Sequence, residues 1–360
     1  MVNGVMSVDH SASGALLSGT DRRTAAVTCS GTLIGCKTFL TAAHCFIDPT
    51  DSANPKKWTF DKPEAYKVFF QHAGIFDVER IDWLGPQNYV YPVTTGSRSD
   101  IAVLTLKTPV TGVVPMSLNQ TRKPDKGTAG LIVGFGRTGG SKFDYGIKRT
   151  GAVLTGDCAY DTYSANLVCW TYDALVKTPG ADSNTCNADS GGGLHVGSDE
   201  HVAGVTSGGQ RGDCLKGDRS YDTDVLTYLP WILKVGGGEA ANAACGLPRI
   251  DIDKHVRGEE LMMTASATQL TRTFEIEPGT AALRVALNGE DDGTGRNDFD
   301  LYLVQGQQPD IAQAVCSEDG SGQFGFCEVA NPAPGSWTVV ITRKKGEGLF
   351  QLVVTRLTEK

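Results

Sequence analysis

Residues 184–194 read NTCNADSGGGL. The run places one serine, Ser190, directly after an aspartate and before three glycines. An alcohol is a poor nucleophile near neutral pH unless a base lies within hydrogen-bond reach and a third group holds that base in the right tautomer. The charge that develops on the attacked carbonyl needs preorganised N–H donors, and a glycine-rich turn lets backbone N–H groups converge on one point. Six histidines are available as the base. One of them, His44, sits in the β-rich run LTAAHC. Asp100, in SRSDIAVLTL, stands at the mouth of an apolar strand, where it could be buried against an imidazole. Each residue also has a plain reading: a structural histidine beside a cysteine, a turn aspartate, a loop serine.

Residues of this kind need rigid elements to hold them. Up to residue 235 the chain alternates short β-rich runs (TAAVTCSGTLIG, AYKVFFQ, DIAVLTL, AGLIVGFG, HVAGVTSGG) with Gly, Pro, Asp and Asn turns. Strands at this spacing predict an all-β sandwich or barrels. TDVLTYLPWILKV, 223–235, has apolar residues spaced three to four apart and predicts a closing helix, with Pro230 tolerated only in its first turn. The Gly/Ala-rich run GGGEAANAACGLP, 236–248, reads as a linker. TRTFEIEP, AALRVALNG, DFDLYLVQG, SWTVVITR and LFQLVVTRL then alternate apolar and polar residues. Roughly 110 residues suffice for one further sandwich. The expected domains are 1–235, a linker over 236–255, and 256–360.

A net charge of -8 argues against nucleic acid as a partner. No apolar run reaches the ~18 residues of a membrane helix. Ten cysteines without a CxxC pair read as disulfides rather than zinc ligands, and so as an oxidising compartment, secreted or periplasmic. The start, MVNGVMSVDH, has neither the basic nor the apolar region of a secretory signal, so a trimmed or mature form is expected.

TAAHC, DIAVLTL and C-x-x-DSGG, in that order, resemble the trypsin/chymotrypsin serine peptidase family over roughly residues 1–235. The resemblance implies two antiparallel six-stranded barrels with the site in their crevice. It implies a monomeric enzyme that acts on protein or peptide substrates and requires no cofactor. It assigns His44 as general base and then acid, Asp100 as its orienter and Ser190 as nucleophile. It also makes Ser207 a second partner of the aspartate, and the N–H groups of Ala188 and Ser190 the oxyanion hole. The pairs Cys29–Cys45, Cys158–Cys169 and Cys186–Cys214 follow from it. Cys316 and Cys327, close together in the last domain, are expected to pair. Cys36 and Cys245 remain and are expected by elimination to pair with each other; two free thiols are the competing reading.

The sequence departs from the family at four places. Ala188 stands where glycine is usual. If φ must be positive there, alanine costs about 1 kcal/mol; alternatively the peptide flips, and a lost oxyanion donor costs on the order of 10²–10³ in rate. Gly193 replaces the proline that usually follows DSGG. MVNG aligns with the end that activation cleavage exposes, with Met1 in place of isoleucine and Asp189 as the expected partner of its α-amine. The competing reading is a frayed terminus over residues 1–6 and a zymogen-like site. The specificity pocket, counted from Ser190, should have Asn184 at its floor beside Thr185. Ser207, Gly208 and Gly209 form its walls, and Arg219 approaches from the far side or faces solvent. With no acid at the floor, a basic P1 residue is disfavoured, unless a different loop alignment brings in Asp182.

NDFDLYLVQG and PAPGSWTVVITR resemble the bacterial pre-peptidase C-terminal domain over roughly 260–358, which implies a small β-sandwich on a secreted peptidase. EDDGTGRNDFD, 290–300, offers oxygen donors of the kind calcium takes, with Asp298 and Asp300 as candidates; a solvated turn is the competing reading. Two functions remain open at this point: a secreted serine endopeptidase, and a peptidase-fold binding or adhesion protein with little activity. The whole triad favours the first.

Overall fold

The computed structural model describes residues 1–48, 59–85, 99–158, 164–198, 200–237, 245, 256–290 and 297–358. Six antiparallel strands form a closed barrel: Ser13–Ser18, Ala26–Leu33, Thr38–Thr41, Ala102–Leu106, Gly74–Trp83 and Tyr66–Phe70. Their alternating apolar residues point inward. Leu16, Leu33, Phe39, Val68, Phe70 and Leu104 fill the interior with no more than trace exposure.

A second antiparallel sheet has seven strands rather than six. Six of them, Arg149–Leu154, Ala129–Gly134, Gly193–Val196, His201–Gly209, Asp218–Asp224 and Leu167–Tyr172, wind around a core that contains Ile132, Trp170 and Leu194. A lone bridge between Gly156 and Cys169 brings the two ends of this array together. The seventh strand, Val5–Met6, is the N-terminal segment laid along Arg149–Thr150.

The helix Val225–Val235 closes this part of the chain, capped by the Asp224 carboxylate on the Thr227 N–H at 3.0 Å. Pro230 lies in its second turn, not its first. The missing N–H deprives the Leu226 carbonyl of its donor. Packing of Val225 and Ile232 against Leu40, Val202 and Val205 holds the helix regardless.

Two four-stranded antiparallel sheets make the expected tail sandwich around Phe299, Leu301, Trp337, Val339 and Phe350. Most of the linker, 238–244 and 246–255, falls outside the described residues. Cys245 is described, buried and bonded to Cys36, so the pair settles as a disulfide. The other four expected pairs, Cys29–Cys45, Cys158–Cys169, Cys186–Cys214 and Cys316–Cys327, also form.

The sandwich is docked, which the sequence did not indicate. Phe69 meets Phe324 edge-on at 5.0 Å between ring centres, with Leu17, Phe135 and Val353 beside them. Buried amides interlock at this contact: Gln71 Nε2 donates to Asn288 Oδ1 and to Gln351 Oε1, both at 3.0 Å. Gln351 Nε2 reaches the carbonyls of Ser7 and Lys148 at 3.3 and 3.2 Å. His72 bridges Thr355 Oγ1 at 2.9 Å and the Val8 carbonyl at 2.7 Å. Burial first, with the Lys148 and Arg284 charges adding to it, pushes the His72 pKa down to about 3, against a smaller pull from the Val8 carbonyl.

Candidate active site

His44 sits in a single 3-10 turn, Ala43–Phe46, at the end of the barrel strand Thr38–Thr41. The Cys29–Cys45 disulfide ties that turn to the neighbouring strand. Asp100, fully buried, precedes the strand Ala102–Leu106 that pairs with Thr38–Thr41. Adjacent strands therefore deliver the imidazole and the carboxylate to one end of the barrel. The Asp100 Oδ2 atom lies 2.7 Å from His44 Nδ1, and its Oδ1 accepts the His44 backbone N–H at 2.9 Å. From the second barrel, Ser207 Oγ donates to Oδ2 at 2.6 Å and Thr223 Oγ1 to the Asp100 carbonyl at 2.9 Å.

Burial alone would lower the His44 pKa; the attraction and hydrogen bond of Asp100 outweigh it, and the net shift is upward. Burial alone would likewise raise Asp100, and the His44 and Ser207 interactions reverse it, holding the carboxylate ionised. Nδ1 is thus fixed as the protonated nitrogen and Nε2 is left as the base.

Ser190 opens onto the same cleft, of about 400 Å³, together with His44, Asn187 and Ala188. Its loop is tied to both barrels. Ser30 N–H donates to the Ser190 carbonyl and Ser30 Oγ to the Ala188 carbonyl, each at 2.8 Å, and Gly191 N–H reaches Thr206 at 2.7 Å. Ala188 has φ +69°, the left-handed region that glycine would occupy without strain. The preceding peptide is not free to turn over, because the Asn187 carbonyl accepts the Arg137 N–H at 3.1 Å. In a trans peptide the next N–H points the opposite way, so the Ala188 N–H is directed away from Arg137.

The first residue is not frayed. Met1 is fully buried among Ile132, Val153, Trp170 and Leu194, and its ammonium lies 2.8 Å from Asp189 Oδ2. The carbonyls of Gly136 and Arg137 accept from the same ammonium at 2.8 and 2.5 Å. Asp189 in turn accepts the N–H groups of Gly136 and Cys186 at 2.8 and 2.9 Å. Burial, the largest influence, lowers the ammonium's pKa against the pull of Asp189.

At the base of the expected pocket, Asn184 is fully buried, with Thr185 buried beside it. Asn184 accepts from Trp170 Nε1 at 3.0 Å and from Ser220 Oγ at 2.7 Å. Its amide donates to the Cys214 carbonyl at 3.0 Å and to Asp218 Oδ2 at 2.9 Å. Asp218 is the residue that counting from Ser190 missed. Alternation along the strand Asp218–Asp224 puts Asp218 and Ser220 on the Asn184 face and turns Arg219 to the exposed side. Arg219 is therefore not brought to the pocket floor. Opposite lie Ser207, Gly208 and Gly209; a Cβ on Gly209 would come within 2.6 Å of the Asp218 carboxylate, so only glycine leaves that acid room. Asp182, the other acid considered, is spent on the backbone N–H of Leu175 at 2.8 Å. A strand-alternation reading of GDRSYDTD would have exposed Asp218.

Among the described residues, two groups of three side chains could hold a metal: Cys29–His44–Cys45 and His10–His195–Glu200. The first is excluded by its disulfide. In the tail, Asp300 pairs with Lys344 at 3.2 Å and accepts from Tyr302 at 3.1 Å, and burial followed by Asp300 raises Asp298. Residues 291–296, which would have to complete a calcium site there, lie outside the described residues.

The trypsin family model matches residues 2–232, and the model of the bacterial pre-peptidase C-terminal domain matches 271–343. No curated protein matches the chain. No helix among the described residues is long and apolar enough to cross a membrane.

Proposed function

This chain belongs to the trypsin family, and on that premise we propose that it is a secreted serine endopeptidase that cleaves after lysine or arginine. Ser190 Oγ attacks the substrate carbonyl as His44 Nε2 takes its proton. The N–H groups of Ser190 and Ala188 receive the oxyanion. His44 returns the proton to the leaving amine, an acyl-enzyme remains on Ser190, and water repeats the sequence. Support comes above all from the Asp100 carboxylate, whose two oxygens are taken up by His44 and Ser207. Five disulfides suit an oxidising compartment.

The P1 assignment rests on Asp218. Its carboxylate is 1 % exposed and meets neutral donors: the Arg211 backbone N–H and Asn184 Nδ2. A buried acid packed against Gly209 favours a cationic side chain over an apolar one of equal size.

A fluorophosphonate probe read by intact mass tests the chemistry. One label per wild-type chain and none on Ser190→Ala is expected; an unlabelled wild type would end the peptidase reading. Peptide substrates that differ only at P1 then test specificity, with arginine expected well above phenylalanine.

A further inference from the structure

Away from the triad, three side chains from separate elements meet with nothing to explain the meeting. His10 lies in the turn before the first barrel strand, His195 in the strand Gly193–Val196, and Glu200 in the hairpin after it. One potential ligand atom from each lies within 4.8 Å of the other two. We propose that His10, His195 and Glu200 form a structural site for a divalent transition metal, zinc by preference.

The His10–Glu200 contact alone, 3.0 Å from Nδ1 to Oε2, would pass as an ion pair. His195 does not fit that account. It is 1 % exposed, and neither ring nitrogen makes a hydrogen bond of ordinary geometry; the Glu200 backbone lies near it without completing one. A buried imidazole left this way is costly, and a metal ion at the centre of the cluster would engage one of its nitrogens. Room for the ring is built in. A Cβ on Gly193 would lie 2.8 Å from His195 Nε2 and 2.8 Å from Thr32 Oγ1, so any other residue at 193 would collide with the ring. The glycine that replaces the family's proline therefore admits His195.

Two borderline imidazole nitrogens outnumber one hard carboxylate oxygen. They suit zinc and its first-row neighbours, whereas calcium and magnesium take oxygen alone. Ligand atoms around tetrahedral zinc sit about 3.3 Å apart given bonds near 2.0–2.1 Å, a distance His10 and Glu200 already approximate. The Glu200 side chain is 44 % exposed, which gives an ion a way in and leaves a coordination position for water. Lys148 is the nearby cation that works against positive charge at His10, and its Nζ is held on the Asp9 and His10 carbonyls at 2.6 and 3.4 Å. Ligation would clamp the segment that follows the inserted Met1 to the second barrel. The site stands on this geometry and is independent of the peptidase reading.

The test uses the full chain, stripped with EDTA and titrated with ZnCl₂ by calorimetry, and with Co²⁺ by visible absorption. One zinc per chain is expected, with cobalt bands of a low-coordinate N/O site and a higher Tm on zinc addition. Glu200→Gln and His10→Gln, both at sites with some solvent exposure, should fold and should each weaken zinc binding about tenfold or more. His44→Ala should leave it unchanged. The proposal is overturned if the stripped protein binds no zinc. It is equally overturned if binding survives both substitutions, or is lost with His44→Ala, which would place the ion at the triad imidazole.

Discussion

Two buried polar networks hold this molecule in register, and they are built differently. One surrounds Asp100 between the two barrels: a single carboxylate with donors from His44, Ser207 and the backbone. The other lies between the first barrel and the tail sandwich, made of the neutral amides Gln71, Asn288 and Gln351. Both join parts of the chain far apart in sequence. A charge in low dielectric acts strongly on what it touches and so can set a tautomer and a pKa. Neutral amides cannot do that. They fix the relative placement of two domains, because each would be left unsatisfied if the faces slid.

Breaking the charged network should have the largest effect. Asp100→Asn removes the acceptor that selects the His44 tautomer, and kcat should fall on the order of 10⁴. The pH profile should sharpen the point. On the proposed mechanism neutral His44 is the base, and its pKa stands above the ordinary imidazole value, so activity should be lost as pH falls through that raised value. In Asp100→Asn burial is no longer opposed by a carboxylate, and the acid limb should move to lower pH.

Asp218→Asn tests a charge of a different kind, the buried acid on which the proposed P1 preference rests. With arginine at P1, kcat/KM should drop about 10²-fold, while residual cleavage at other P1 residues changes little. An unchanged preference for arginine would remove Asp218 from the specificity pocket.

The neutral network should register in stability instead. Gln351→Ala leaves Gln71, Asn288 and the Lys148 N–H short of a partner. A loss of about 1–3 kcal/mol is expected, seen as a lower Tm with kcat retained. This interface is also sensitive to acid. Docked His72 stays neutral down to about 3, whereas an unfolded histidine takes its proton near 6.5. Stability from this group is therefore full above the unfolded value and is lost as pH falls from there toward 3. Thermal unfolding measured against pH should be flatter over that range in His72→Gln than in the wild type.

Ala188→Gly is the smallest change. It relieves a φ of +69° and should stabilise by about 1 kcal/mol at most. Because the Arg137 N–H already fixes the peptide, kcat should stay within about twofold, on the argument that no oxyanion donor is gained or lost. A large gain in kcat would mean that alanine had been distorting the hole.

Local pattern made much of this legible in advance. Alternating apolar residues in DIAVLTL, AGLIVGFG and HVAGVTSGG marked strands that the structure places at Ala102–Leu106, Ala129–Gly134 and His201–Gly209. The residues of TAAHC, DIAVLTL and CNADSGG carried their context within a few positions, and so His44, Asp100 and Ser190 could be singled out. Arg219 and Asp218 were the reverse case. They are adjacent in sequence, and only the pairing of their strand decides which one faces Asn184. Pro230 went against local preference because a packed apolar face outweighs one missing hydrogen bond.

The sequence by itself determined the order of strands and turns and the motif residues that point to a nucleophilic serine. These depend on propensity, alternation and short spacing, which are written along the chain. Only the tertiary structure decided that Met1 reaches Asp189, that the sandwich docks through Gln71 and Gln351, that Asp218 is the buried acid, and that His10, His195 and Glu200 converge. Each joins residues brought together by barrel closure or domain packing. Which polar groups end up facing one another is set by the balance of burial and hydrogen bonding over the whole fold.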